Sequence, residues 1–434
     1  MRRIRRNNTI SKKLTLIISG LIFIGGLVWQ ACADEAQIKA KLEAIRKAGE
    51  PTTGEELQKW YPEPPAGENA ATILTSAFAK LHLEGMAESL TLPVIGKAKL
   101  PEQGAPLSAA MKGSIASVLA NNKEALELLH EGAKVKECRY PIDFKKGWDM
   151  PLPHLGKIKS SAQLLELEAV LAADEGKTSK AVQGTEDILH LGASLKNEPV
   201  LISQLVRVAC DQIGCTTLEW VLNRRPLSDE QLHKLGVAFN EAKNPQAMTR
   251  AYIAERVSVI ALFQKPPPER KALLEKAAKE VTGTPLDVTG EDWDGDWVCY
   301  LETIDRIIAD SREISSKSAE AADAESKRAM LASNRKYFCT TVLIPGVTGG
   351  ISRNVRGIAN IRCAEVAIGT ERYRRAHEFH LPASLAELTP TYLEQIPADP
   401  YGDGPLLFEK QPTSGYKIAS RGSEAKKPIV IGVK

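Results

Sequence analysis

A chain of 434 residues, 43% hydrophobic and 26% charged, has an ordinary globular composition and the length of about two to three domains. Aromatics at 5%, beside abundant Ala and Leu, favour helices packed on small side chains and disfavour an all-β sandwich. The formal charge of +3 comes from Arg2, Arg3, Arg5, Arg6, Lys12 and Lys13, without which 51 basic residues face 54 acidic ones; that balance offers no net electrostatic footprint for nucleic acid, which is set aside as a partner.

Those cations precede "LTLIISGLIFIGGLVW", residues 14–29, a run without a charge. Cations behind an apolar run predict an export signal or anchor, with Met1 inside and everything after Asp34 outside. The run is marginal in length for a hydrocarbon core of about 30 Å. Three fates compete, of which lipidation at Cys32 is the weakest, since Trp29 stands three positions before it where lipoprotein signals usually place Leu. Retention gives a single-pass protein held in the cell membrane through residues 14–29, its bulk extracytoplasmic (periplasmic). Cleavage at Ala31-Cys32-Ala33 gives a protein secreted after Ala33. Beyond this segment lie Cys138, Cys210, Cys215, Cys299, Cys339 and Cys363. An even count permits disulfides in an oxidising compartment, but buried free thiols account for it equally well. The absence of C-x-x-C removes support for a zinc ribbon or a thioredoxin-type site.

Residues 34–281 read as a helical array of antiparallel hairpins. Thr53 to Glu56 is a capping box. Helices are predicted from Asn69, and from Ser108 to Gly132 with a break at Asn121 and Asn122, before irregular chain over 135–153. Leu164, Leu167 and Leu171 then share one helix face, and Ile202, Leu205, Val206, Ala209 and Ile213 form the stripe predicted to face inward on a later helix. Ser228 to Gln231 opens a further helix, with Leu232, Leu235 and Phe239 inward. The link at Gly176 resembles one tetratricopeptide-type hairpin, without a 34-residue repeat.

Residues 282–353 form a break, a polar helix and a connector. "EDWDGDWVCYLE" places Asp292, Asp294 and Asp296 at the spacing that begins an EF-hand, but the sixth position is Trp297 and the twelfth Thr303. An acidic loop entering a helix, anchored by Trp293 and Trp297, fits these residues better. Residues 311–330 suggest a solvated helix face or a linker. "FCTTVLIPGV" is stopped by Pro345 and Gly346.

Residues 354–434 have another pattern: a helix from about Asn354 to His380 with Ile358, Ile361 and Ile368 as its stripe, then strands in "PLLFEK", "GYKIAS" and "PIVIGV". A small antiparallel sheet packed on one helix is the expected α+β unit. The fold class is therefore mainly α, with an N-terminal membrane helix and this small terminal unit.

Three further motifs carry little chemistry. Gly176-Lys177-Thr178 lacks the first Gly of a phosphate loop and joins two helices. Ser333 and Lys336 are spaced as in penicillin-binding enzymes without a Lys-Thr-Gly to follow. His377 and His380 suit a solvated helix end.

"LPASLAELTPTYLEQIPADPYGDGPLLFEK", with the later "SGYKIASRG", resembles the carboxyl-terminal unit of type II secretion pseudopilins over about 45 residues. The resemblance does not extend to the N-terminus, where Lys13 and Ile18 stand in place of the Gly and Glu of a pseudopilin processing site. It implies calcium ligation by Asp399 and Asp403; Pro400, Gly402 and Gly404 equally mark a plain turn. Together with "AGEPTTGEEL", "LPHLGKIKSSAQLLELEA" and "EPVLISQLVRVA", this tail resembles a group of exported or membrane-tethered bacterial proteins, which implies a location and no activity. Two functions are carried forward: a non-catalytic scaffold or interaction module with an envelope protein as partner, and a hydrolase or metal-dependent enzyme whose site is assembled from distant residues.

Overall fold

The computed structural model describes residues 35–102, 104–282, 292–332, 337–412, 415–422 and 429–434, so the run at 14–29 and the Ser333/Lys336 pair lie outside it. Among the described residues no helix is long and apolar enough to cross a membrane. The array begins with α1 (residues 35–47), α2 (Gly54–Trp60), α3 (Ala70–Ala79), α4 (Ala109–Asn121) and α5 (Lys123–Gly132). Thr53 and Glu56 form the expected capping box, while Asn69 and Ser108 accept from backbone amides of α3 and α4. These caps satisfy donors that a helix start leaves without partners. Asn122 interrupts α4 and α5, and its side chain bonds both the N–H and the C=O of His82, docking the preceding loop.

The central layer comprises α6 (His154–Asp174), α7 (Thr178–Ala193), α8 (Leu201–Leu222) and α9 (Asp229–Ala242). Short links make sequential helices antiparallel neighbours. Then follow α10 (Ala247–Phe263), α11 (Pro267–Thr282), α12 (Trp293–Asp310), α13 (Ser316–Ala332) and α14 (Phe338–Ala376). The chain closes with β1 (Leu407–Lys410), β2 (Tyr416–Ala419) and β3 (Val430–Val433), antiparallel in the order β1-β2-β3, with Phe408 opposite Ile418 and Ile418 opposite Ile431. Tyr416, Ile418, Ile431 and Val433 are buried, and the sheet packs on α8 and α14. The predicted inward residues of α6, α9 and α14 are all buried: Leu164, Leu167 and Leu171; Leu232, Leu235 and Phe239; Ile358, Ile361 and Ile368.

Three expectations are corrected. The stripe of α8 lies elsewhere: Ile202 is 49% exposed, and the buried face carries Gln204, Arg207, Cys210, Asp211 and Leu218. Because α6, α7 and α14 all cover α8, its polar side chains are enclosed and bond to one another. Residues 316–332 are a packed helix, with Ala322, Ser326 and Ala329 buried as α13 lies against α12 and α14; small inward residues allow that approach. Lastly, α14 runs for 39 residues with Pro345 inside it, so the boundary placed at residue 353 falls within one helix. A proline inside a helix costs about 3 kcal/mol. Burial of Ile344, Val347 and Ile351 on either side offsets that penalty and holds the helix through it.

Candidate functional site

The residues singled out by sequence are placed as follows. Asp399 is buried and committed: Oδ1 accepts from Ser420 Oγ at 2.7 Å and Tyr401 N at 3.0 Å, and Oδ2 from Arg421 N at 2.6 Å. It pins the turn to the end of β2. Asp403 is exposed and lies 3.5 Å from Lys317 Nζ, and the two aspartates are not joined by a third ligand. Among the described residues no group of three or more His, Cys, Asp or Glu converges to hold a metal ion. Two of the three acids serve helix ends: Asp292 caps α12 through Gly295 N, and Asp296 caps α14, while Asp294 is exposed in the first turn of α12. Trp293 lies under Arg270 at 4.4 Å and Trp297 stacks on Phe263 at 5.2 Å, as the anchoring role requires. His377 and His380 are exposed beyond α14. All six described cysteines are free, and burial pushes Cys138 and Cys363 up to about 12, keeping both thiols protonated.

Three polar clusters arise that no local motif announces. His154 Nε2 contacts both Glu198 oxygens, at 3.0 and 3.1 Å, and its ring stacks on Tyr140. Ser203 Oγ donates to the same Glu198 at 2.5 Å. The residue types are those of a hydrolytic triad, but the serine proton points at the carboxylate instead of the imidazole, so the set locks Glu198 in place. His130 is clamped between Asp187 at 2.5 Å and Glu168 at 3.0 Å. Hydrogen bonds that the protonated ring donates to Asp187 and Glu168, opposed by burial, lift it to about 9. Arg207 donates to Gln204, Asp211, Ala242 O and Asn354, tying α8 to α9 and α14.

An open cleft of about 290 Å³ lies where α9, α14 and residues 392–397 meet. Leu232, Ile368 and Leu393 supply apolar lining, and Val237 stands 45% exposed beside them. Lys243 Nζ pairs with Glu365 at 2.6 Å, and the guanidinium of Arg372 grips Asp229 at 2.8 and 3.3 Å. The Arg372 hydrogen bond holds Asp229 below the usual carboxylate range. Gly369 makes the cleft's shape possible, because Leu393 occupies the space a Cβ there would need.

Comparison with family models, with curated proteins and with solved structures finds no match to this chain.

The cleft therefore stands on its own chemistry. Its apolar lining can accept a side chain, and the Asp229 carboxylate, 57% exposed beside Arg372, can exchange partners with a charged ligand at little net cost, since exposed ion pairs contribute about 0–1 kcal/mol. The signal for the buried clusters was present in part: Gln204, Arg207 and Asp211 follow helical spacing along α8. Their partners lie up to 147 residues away, which no window-based reading reaches.

Proposed function

We propose that this protein is a non-catalytic scaffold or interaction module of the cell envelope, tethered to the membrane through residues 14–29 with its bulk extracytoplasmic. Its cleft between α9 and α14 receives a short segment of an envelope protein. The observation that carries this reading is the lining itself, with Leu232, Ile368 and Leu393 set among the ion pairs Lys243–Glu365 and Arg372–Asp229. An apolar centre with a polar rim is the anatomy of a protein-binding patch. At about 290 Å³ the cleft takes one or two side chains, smaller than most metabolite sites. The pseudopilin-like tail supports an envelope setting, and in this reading Asp399 and Asp403 are turn residues.

The test places a photo-crosslinking residue at Val237 of the full chain in native membranes, with Leu90, 80% exposed, as control position. Val237 is expected to capture one envelope protein that Leu90 does not, and Leu393→Asp to abolish that capture while helix content by circular dichroism persists. Identical captures from both positions, or capture indifferent to Leu393→Asp, overturns the proposal.

A further inference from the structure

The described chain begins at residue 35, six residues after the apolar run ends at Trp29, a distance that extended backbone covers in about 20 Å. Its first turns lie on α12 and the last turns of α10. Gln37 donates to Glu302 at 3.2 Å, Lys41 pairs with Glu302 at 3.3 Å, and Ile38 and Leu42 share a cluster with Ile260 and Leu301. Beyond the other end of α1, Glu50 is held by Arg256 and Arg312, which fixes the direction of the helix. The end of the molecule bearing residue 35 is therefore the end where α10 finishes and where α11, α12 and, through Asp296, α14 begin.

A recess of about 260 Å³ opens there between residues 145–149, the C-terminal turns of α10, and α11. Lys145, Lys146, Lys265 and Lys276 line it against Asp149 and Glu269, leaving cations in surplus. Pairings such as Lys276–Asp149 at 3.8 Å and Lys145–Glu55 at 3.7 Å join exposed side chains and are readily exchanged for another anion. A second observation points the same way. The short link 311–315 folds α13 back against α12 as an antiparallel neighbour, with Arg306 paired to Glu325, so the last turn of α13 reaches towards this same end. It carries Met330, 47% exposed, and Leu331, 81% exposed.

We propose that this end is a membrane-contact surface: the lysine recess takes the phosphate of an anionic phospholipid while Met330 and Leu331 enter the headgroup boundary. Cations beside exposed apolar side chains are what a bilayer surface selects. The inference rests on the tether reading, and it names a lipid over free phosphate because recess, apolar pair and tether share one end.

The full chain is reconstituted into nanodiscs of phosphatidylcholine with or without phosphatidylglycerol, and amide exchange is followed over residues 258–276 and 326–331. Exchange is expected to slow severalfold with phosphatidylglycerol. Lys145→Glu/Lys146→Glu/Lys276→Glu removes the effect in the recess, and Leu331→Ser removes it in α13. Incorporation without lipid-dependent protection overturns this inference alone, as does equal protection by inorganic phosphate in phosphatidylcholine discs. Failure to enter either disc removes the tether reading and this inference with it.

Discussion

The carboxylate of Asp296 in α12 sits across the start of α14, where Oδ1 accepts from Thr340 N at 2.9 Å and Thr340 Oγ1 at 2.6 Å, and Oδ2 from Cys339 N at 2.6 Å. Both partners are fully buried, so removing the carboxylate leaves their donors without a protein acceptor. An anion also suits the positive end of a long helix. Asp296→Ala leaves buried backbone donors without partners and is expected to cost about 3 kcal/mol in urea denaturation. Asp296→Asn keeps one acceptor and loses about half as much. A loss within experimental error for Asp296→Ala contradicts the cap.

Arg207 and Asp211 form a buried pair whose members depend on each other. Burial raises Asp211 to about 6, with Arg207 pulling the other way. Arg207→Met strands an acid in the core, and the expected destabilisation at pH 8 is about 3–4 kcal/mol. Without Arg207 the pKa of Asp211 rises above the parent's value of about 6, so the penalty is full above that raised pKa, shrinks as pH falls below it, and disappears only near the unfolded-state value of about 4. Arg207→Met/Asp211→Leu recovers most of the loss, as apolar replacement of a buried pair often does. Equal defects at pH 5 and pH 8 exclude this account.

The parts of the fold legible in sequence were those set by neighbours along the chain. Capping at Thr53 and Ser228, the stripe of α9 and the three terminal strands depend on residues a few positions apart. The errors share a cause in tertiary packing. Ile202 faces outward because α8 is covered on the sides where its polar residues bond to each other, and α14 passes through Pro345 because flanking apolar burial outweighs one lost hydrogen bond. Likewise the cleft joins α9 to residues 392–397, a juxtaposition that only the folded chain supplies.

His130 gives a pH signature in the alkaline range. Its folded-state pKa of about 9 lies above the ordinary value near 6.5. The stabilisation is therefore fully present below about pH 6.5 and is lost as pH rises through about 9. Discounted for partial exposure, the effect is about 1 kcal/mol. Thermal denaturation between pH 6 and 10 is expected to show this decline in the parent chain. His130→Gln, destabilised at pH 6, shows a flatter profile, and parallel profiles for the two proteins disprove the assignment.

Gly369 separates the cleft from the stability of the helix that carries it. A Cβ at this position comes 2.7 Å from Leu393 Cγ, so Gly369→Ala displaces Leu393 and reshapes the cleft. Alanine also favours a helix interior by about 1 kcal/mol over glycine, which offsets the strain of moving one half-buried leucine. The variant is thus expected to unfold within about 1 kcal/mol of the parent, yet lose most of the crosslinking at Val237. Were residues 392–397 only a packed connection with no ligand to receive, stability would shift and capture at Val237 would not; the opposite pattern is the one that a working cleft produces.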